Sequence, residues 1–181
     1  MAETIRLSDY KPYPFKIPEI EISFNINESN VGIRCVMHIT PLLENSVPLV
    51  LKGSGINLEK ISIDSCIVSS YSYKGSDLII SNLPKEKFEL EILCNINPFL
   101  NTFLEGLYLS SNILTTQCEA EGFRRICFHP DRPDVLSKYT IRIEADFSDY
   151  PILLSNGNKK KSGKIKNNPD RHQVFWEDPF P

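Results

Sequence analysis

Residues 115–125 read Thr115-Thr116-Gln117-Cys118-Glu119-Ala120-Glu121-Gly122-Phe123-Arg124-Arg125. This stretch sets an amide and two carboxylates at alternate positions and then stops them at a glycine. If it is extended, Thr115, Gln117, Glu119 and Glu121 face one way, and Thr116, Cys118 and Ala120 the other, because side chains alternate across a strand. The second face is small, mostly apolar and able to pack. The first lines up carboxylates, which are costly to hold out of water unless they meet cations or donors. A cluster of this kind can hold the ammonium group of a ligand. For Glu121 a structural role stands beside a ligand-binding one, because Arg124 or Arg125 could pair with it.

Little else in the sequence could do chemistry. The histidines are His38, His129 and His172, with no i, i+4 pair and no H-E-x-x-H. A catalytic zinc needs about three protein ligands and an open position, and no such set is evident. No serine elbow, phosphate-binding loop or dinucleotide fingerprint is present. The cysteines, Cys35, Cys66, Cys94, Cys118 and Cys127, are odd in number and widely spaced, which argues against a disulfide framework or a zinc ribbon. Each lies in or beside an apolar stretch, as expected of buried thiols. No residue of this chain is assigned a catalytic or metal-binding role.

The totals narrow the class. A length of 181 residues suits one sizeable domain or two small ones. A hydrophobic share of 41% with 24% charged residues argues against disorder. A net charge of −3 gives no case for nucleic acid as a partner. No apolar run approaches the roughly 20 residues of a membrane span. The N-terminus lacks the apolar core of a secretory signal, so the cytoplasm is the expected location. Residues 155–169 carry Lys159, Lys160, Lys161, Lys164 and Lys166 and no acid. Without interleaved aromatics these read as a solvated hairpin tip between strands at 152–154 and 172–177, rather than a phosphate or membrane patch.

The elements that must position the acidic stretch are strands. Ile20, Ile22, Phe24 and Ile26 alternate with Glu19, Glu21, Ser23 and Asn25. Asn27-Glu28-Ser29-Asn30 is a turn, and Ile33, Cys35, Met37 and Ile39 alternate again. This predicts an antiparallel hairpin with one wet face. Pro41 and Pro48 bracket the next connection. Short strands are expected at 49–51, 58–64, 66–73 and 78–81, with Gly75 as a turn residue. Longer ones are expected at 88–94 and 138–147, then a last one at 172–177. Asn156-Gly157 is a hairpin-turn signal. Helix is limited to a short turn around 131–136, where Asp131 could cap. The expected fold is all-β, a mostly antiparallel sandwich with at most short helical turns.

The stretch 116–124 closely resembles the signature of the N-terminal domain of the bacterial aminopeptidase N family of zinc metallopeptidases. The resemblance continues in order along the chain. It takes in Ile80-Ser81-Asn82-Leu83-Pro84, then Asn101-Thr102 with Leu104-Glu105-Gly106-Leu107-Tyr108, then Asp131-Arg132-Pro133-Asp134-Val135. Tyr150-Pro151 with Leu153–Asn158, and Trp176-Glu177-Asp178-Pro179-Phe180-Pro181, complete it. It is weak over 1–16 and in the lysine-rich segment.

The resemblance implies a saddle-like β domain spanning residues 1–181, with the catalytic zinc domain following residue 181. Zinc would belong to the full-length enzyme and not to this chain, which would be inactive alone. The partners implied are peptide substrates with a free N-terminus and the enzyme's own catalytic domain in cis. Carried over by position, Glu119 resembles the glutamate that binds the free α-amino group, and Gln117 the residue lining the pocket for the first side chain. Glu121 is a minor candidate. The alternative is a free-standing β-sandwich module that binds a protein or peptide. A domain made to pack on a catalytic partner should also carry an apolar patch, for which Phe99, Leu100, Phe103, Phe175 and Trp176 are candidates.

Overall fold

A computed structural model describes residues 6–42 and 47–181. The strands, in chain order, are β1 (Phe15–Ile26), β2 (Val31–Pro41), β3 (Leu49–Leu51), β4 (Asn57–Ile63), β5 (Cys66–Ile67), β6 (Tyr71–Lys74) and β7 (Asp77–Ile80). They continue with β8 (Phe88–Ile96), β9 (Gly106–Ser110), β10 (Ile113–Gln117), β11 (Lys138–Asp146), β12 (Asn158–Ile165) and β13 (Asn168–Asp178). An eight-stranded sheet has the order β12-β13-β11-β1-β2-β8-β4-β5. A three-stranded sheet has the order β3-β7-β6, and β9 with β10 forms a two-stranded ribbon. Helical structure among the described residues is confined to 3₁₀ turns at Leu7–Asp9, Pro98–Leu100 and Phe123–Arg125. The chain is thus an all-β, mostly antiparallel fold.

One pairing is parallel. β1 runs beside β11 from Glu19 opposite Lys138 to Asn25 opposite Glu144. Parallel neighbours cannot be joined by a tight turn. The connection here spans residues 27–137 and holds both smaller sheets and the acidic stretch. Closing that pair therefore brings the acidic stretch back beside the large sheet.

The core follows from alternation. Ile20, Ile22 and Ile26 of β1 are buried with Val31, Ile33, Cys35, Met37 and Ile39 of β2. A register shift between Lys16 and Glu19 lets Ile17 join the same face as Ile20 despite the odd spacing. Phe88, Leu90, Ile92 and Cys94 of β8 extend this face. Leu49 and Leu51 of β3, with Leu78 and Ile80 of β7, belong to the same buried cluster, so the small sheet completes a sandwich. Each such side chain contributes about 1.5–3 kcal/mol on burial. The other face of the large sheet is polar. Arg34 pairs with Glu91 at 2.5 Å, and Arg171 with Glu144 at 3.1 Å.

Several expectations are corrected. The strand expected at 66–73 is two strands in different sheets. β5 pairs with β4, while β6 pairs with β7, because the chain leaves the large sheet at Val68–Ser70 to edge the small one. The turn after Asp131 is not helical. Asp131 lies at φ +51, outside the conformation of an N-cap, and its carboxylate turns back to Arg124. A single bond from Val135 N to the Arg132 carbonyl closes the turn.

Residues 152–154 form no strand, and the lysines are not a hairpin tip. Lys159, Lys160, Lys161 and Lys164 lie on β12, an edge strand paired with β13, and only Lys166 sits in the reversal, at Lys166-Asn167. Two of them have partners on β13: Lys161 Nζ sits 4.1 Å from the centroid of the Phe175 ring, and Lys160 pairs with Glu177 at 2.8 Å. Cys66 is exposed, whereas Cys35, Cys94 and Cys127 are buried and Cys118 is half-buried. Part of the connection between Pro41 and Pro48, and the first five residues, lie outside the described residues.

Candidate functional site

The acidic stretch starts as a strand and then leaves it. β10 pairs with β9 as far as Gln117 opposite Gly106. Residues 118–122 form a turn, with a cis peptide between Glu119 and Ala120 and Glu121 at φ +62. The alternation expected to align Gln117, Glu119 and Glu121 therefore ends at Gln117. What links the first two is a bond, not a shared strand face: Gln117 Nε2 donates to the Glu119 carbonyl at 2.9 Å.

Gly122 closes the turn. Its N–H donates to the Cys118 carbonyl at 3.0 Å. A Cβ at this position would lie 2.8 Å from the Gln117 carbonyl oxygen and 2.9 Å from Cys118 Cα, so only glycine permits the approach. Gly106 is required in the same way on the paired strand. Its φ is +72, and a Cβ there would meet Arg125 Cβ at 2.5 Å.

The 3₁₀ turn that follows ties the site to the core. Arg124 donates to Asp131 Oδ2 from its backbone N at 3.2 Å and from Nε at 2.6 Å. Arg124 Nη2 reaches Glu121 Oε2 at 3.1 Å. The Arg124 carbonyl accepts from Ser54 N at 2.8 Å. Behind Asp131, its N–H donates to His129 Nδ1 at 2.9 Å, while His129 Nε2 lies 3.1 Å from the Tyr139 hydroxyl. The His129 backbone exchanges bonds with Lys52 in both directions, at 2.8 and 3.0 Å. Burial pushes His129 down to about 4, so the ring is neutral and its Nδ1 can accept. Burial likewise pushes the Cys118 thiol up to about 11, which leaves it unreactive. Arg125 bonds Glu105 at 3.0 Å and lies over the Phe103 ring at 3.9 Å.

The carboxylates are thus unequal. Glu121 is engaged by Arg124. Glu119 is exposed, and among the described residues its carboxylate makes no hydrogen bond or ion pair. Gln117 is exposed beside it. Sequence reasoning missed the Arg124–Asp131–His129 network, since its members lie on a 3₁₀ turn, an irregular segment and an isolated β-bridge and share no periodicity. Asp131, two residues past His129, was the one available signal.

Among the described residues, no group of three or more His, Cys, Asp or Glu comes together as a metal site. No described helix is long and apolar enough to cross a membrane. Of the patch candidates, Leu100 and Phe103 are exposed beside the ribbon, while Phe99, Phe175 and Trp176 are half-buried. Trp176 lines a cleft of about 400 Å³ with Phe147, Ile152 and Leu154.

Residues 17–181 match the family model of the peptidase M1 N-terminal domain. Aminopeptidase N of Escherichia coli is 41% identical over 173 residues, which is 96% of this chain and 20% of that protein. The crystal structure of Legionella pneumophila aminopeptidase A in complex with aspartic acid superposes with a TM-score of 0.88 at 29% identity. That match covers 97% of this chain and 21% of the other. An M1 zinc metallopeptidase from Deinococcus radiodurans, bound to a Tyr-Ser-Ala substrate, gives a TM-score of 0.75 at 12% identity over 91% of this chain, a likeness of fold alone. The chain spans about a fifth of the length of the Escherichia coli and Legionella pneumophila relatives and 39% of the Deinococcus radiodurans one.

Proposed function

This chain belongs to the peptidase M1 N-terminal domain family, and from that premise we propose that it is the substrate-amine-recognising part of a zinc-dependent aminopeptidase. In this reading residues 1–181 form one β-rich unit ahead of a catalytic zinc domain, and the longer protein works in the cytoplasm on peptides with a free N-terminus. Glu119 accepts the substrate's α-ammonium, and Gln117 lines the pocket for the first side chain.

The observation that carries the reading is the contrast between two carboxylates on one turn. Glu121 is paired with Arg124, and Glu119 is exposed with no partner among the described residues. An exopeptidase must tell a terminal ammonium from an internal amide. A fixed carboxylate does so, because a blocked terminus leaves it buried and unpaired. Losing one partner of such a pair costs about 2–5 kcal/mol once water is excluded. In the open the same pair is worth about 0–1 kcal/mol. Glu119 therefore acts only when another surface covers it, and the chain alone binds free amines weakly and cleaves nothing. Zinc would be held by the catalytic domain and not by this chain, and there it would supply a Lewis acid for the scissile carbonyl and the attacking water.

The test is Glu119→Ala in the longer enzyme. The expected result is a sharp fall in kcat/KM for substrates with free N-termini. Near wild-type kinetics would remove Glu119 from the reading.

A further inference from the structure

Resting on that reading, we propose that Arg124 is the positioning residue for Glu119. The turn that carries Glu119 has two ends. The first is fixed by the β9–β10 ladder through Gln117 opposite Gly106. The second would be free to swing at Gly122 unless something held the chain beyond it, and Arg124 does this at several points. Its backbone N–H and its Nε both end on one oxygen of Asp131, and its carbonyl is held by Ser54 N. The anchor is firm: the Asp131 side chain is 8% exposed, and its backbone rests on His129, itself locked to Lys52.

The fourth contact gives Arg124 a role beyond scaffolding. Nη2 reaches back to Glu121, the residue at φ +62 two positions after Glu119. Arg124 thus spans from an anchor in the sheet to the acidic turn, with its fork divided between one carboxylate on each side. A planar fork can hold both at once, which a lysine ammonium cannot do with the same geometry. By occupying Glu121, Arg124 leaves Glu119 as the unpaired carboxylate of the turn and fixes the direction of the peptide that bears it. A displacement of about 1 Å in such a positioning element can cost on the order of 100-fold in rate.

The experiment is a double-mutant cycle in the full-length enzyme, with kcat/KM measured on an unblocked aminoacyl substrate. The variants are Glu119→Gln, Arg124→Gln, and the two combined. Arg124→Lys and Asp131→Asn serve as second variants should Arg124→Gln fail to fold, and thermal midpoints are recorded for all. The expected result is a loss of about 10- to 100-fold for Arg124→Gln, with a smaller loss for Arg124→Lys. Combined with Glu119→Gln, Arg124→Gln adds little further loss, because it acts through that carboxylate. Additive losses, or an Arg124→Gln enzyme near wild type while Glu119→Gln is impaired, overturn the proposal. A Glu119→Gln enzyme at wild-type activity instead overturns the reading of Glu119 and the proposal with it.

Discussion

The side-chain amide of Gln117 donates to the backbone carbonyl of Glu119 at 2.9 Å, so the last residue of strand β10 holds the first part of the turn beyond it. The two residues proposed to line a pocket and to accept an amine are therefore linked directly. Replacing Gln117 with Glu removes the donor and turns an acceptor toward the carbonyl. We expect kcat/KM of the enzyme to fall about tenfold, a loss in the range of misplaced catalytic geometry. Steady-state kinetics beside the thermal midpoint checks this, and the midpoint should stay within about 2 °C, as for most surface substitutions.

Gly122→Ala is expected to disrupt the turn. Its added Cβ would lie 2.8 Å from a backbone carbonyl oxygen and 2.9 Å from a backbone Cα, and neither can give way as a side-chain tip would. Overpacking of this kind costs about 1–3 kcal/mol. Denaturant unfolding should read that loss, and activity should fall further than for Glu121→Ala, which removes an ion pair whose carboxylate is 66% exposed.

His129 makes stability depend on pH. Its folded pKa is lowered to about 4 from 6.5 by burial. As pH falls below 6.5 the unfolded chain takes up the proton before the folded one does. The contribution of this residue is therefore fully present above pH 6.5 and is lost progressively toward pH 4. The loss is roughly 3 kcal/mol. Urea unfolding at a series of pH values checks it, and His129→Gln should flatten the slope over that window.

The fold was legible where burial alternates with period two. Strands β1, β2, β8 and β11 stand close to their expected places because one face of each meets the core. Legibility failed where pairing, not periodicity, decides. Residues 66–73 look like one strand but change partner sheets midway. The lysines of β12 look like a loop, yet Lys161 finds an aromatic face on the neighbouring strand. At the site, residue types were informative and geometry was not. Gln117 and Glu119 took their expected roles from the family resemblance, and the alternation expected to align them stops at Gln117. Arg124 was seen as a partner for Glu121, but its anchor Asp131 was read as a helix cap.

The lysines of β12 also protect an open edge. β12 ends the large sheet, and its outer backbone groups have no strand partner among the described residues. Charged side chains on an edge discourage pairing with another chain. Lys161→Ile with Lys164→Ile should raise self-association. Light scattering across a concentration series checks this, with the wild-type protein remaining less associated throughout.

The most direct measurement concerns Glu119 and the amine together. Two competitive inhibitors that differ only in the α-amino group are titrated against the full-length enzyme and its Glu119→Gln variant. The account predicts that deleting the amine weakens binding to the wild type by about 30-fold or more, the lower end expected of a desolvated charge pair. In the variant the same deletion should cost about threefold or less. An equal loss in both proteins would contradict the account, because the ammonium would then be recognised by something other than Glu119.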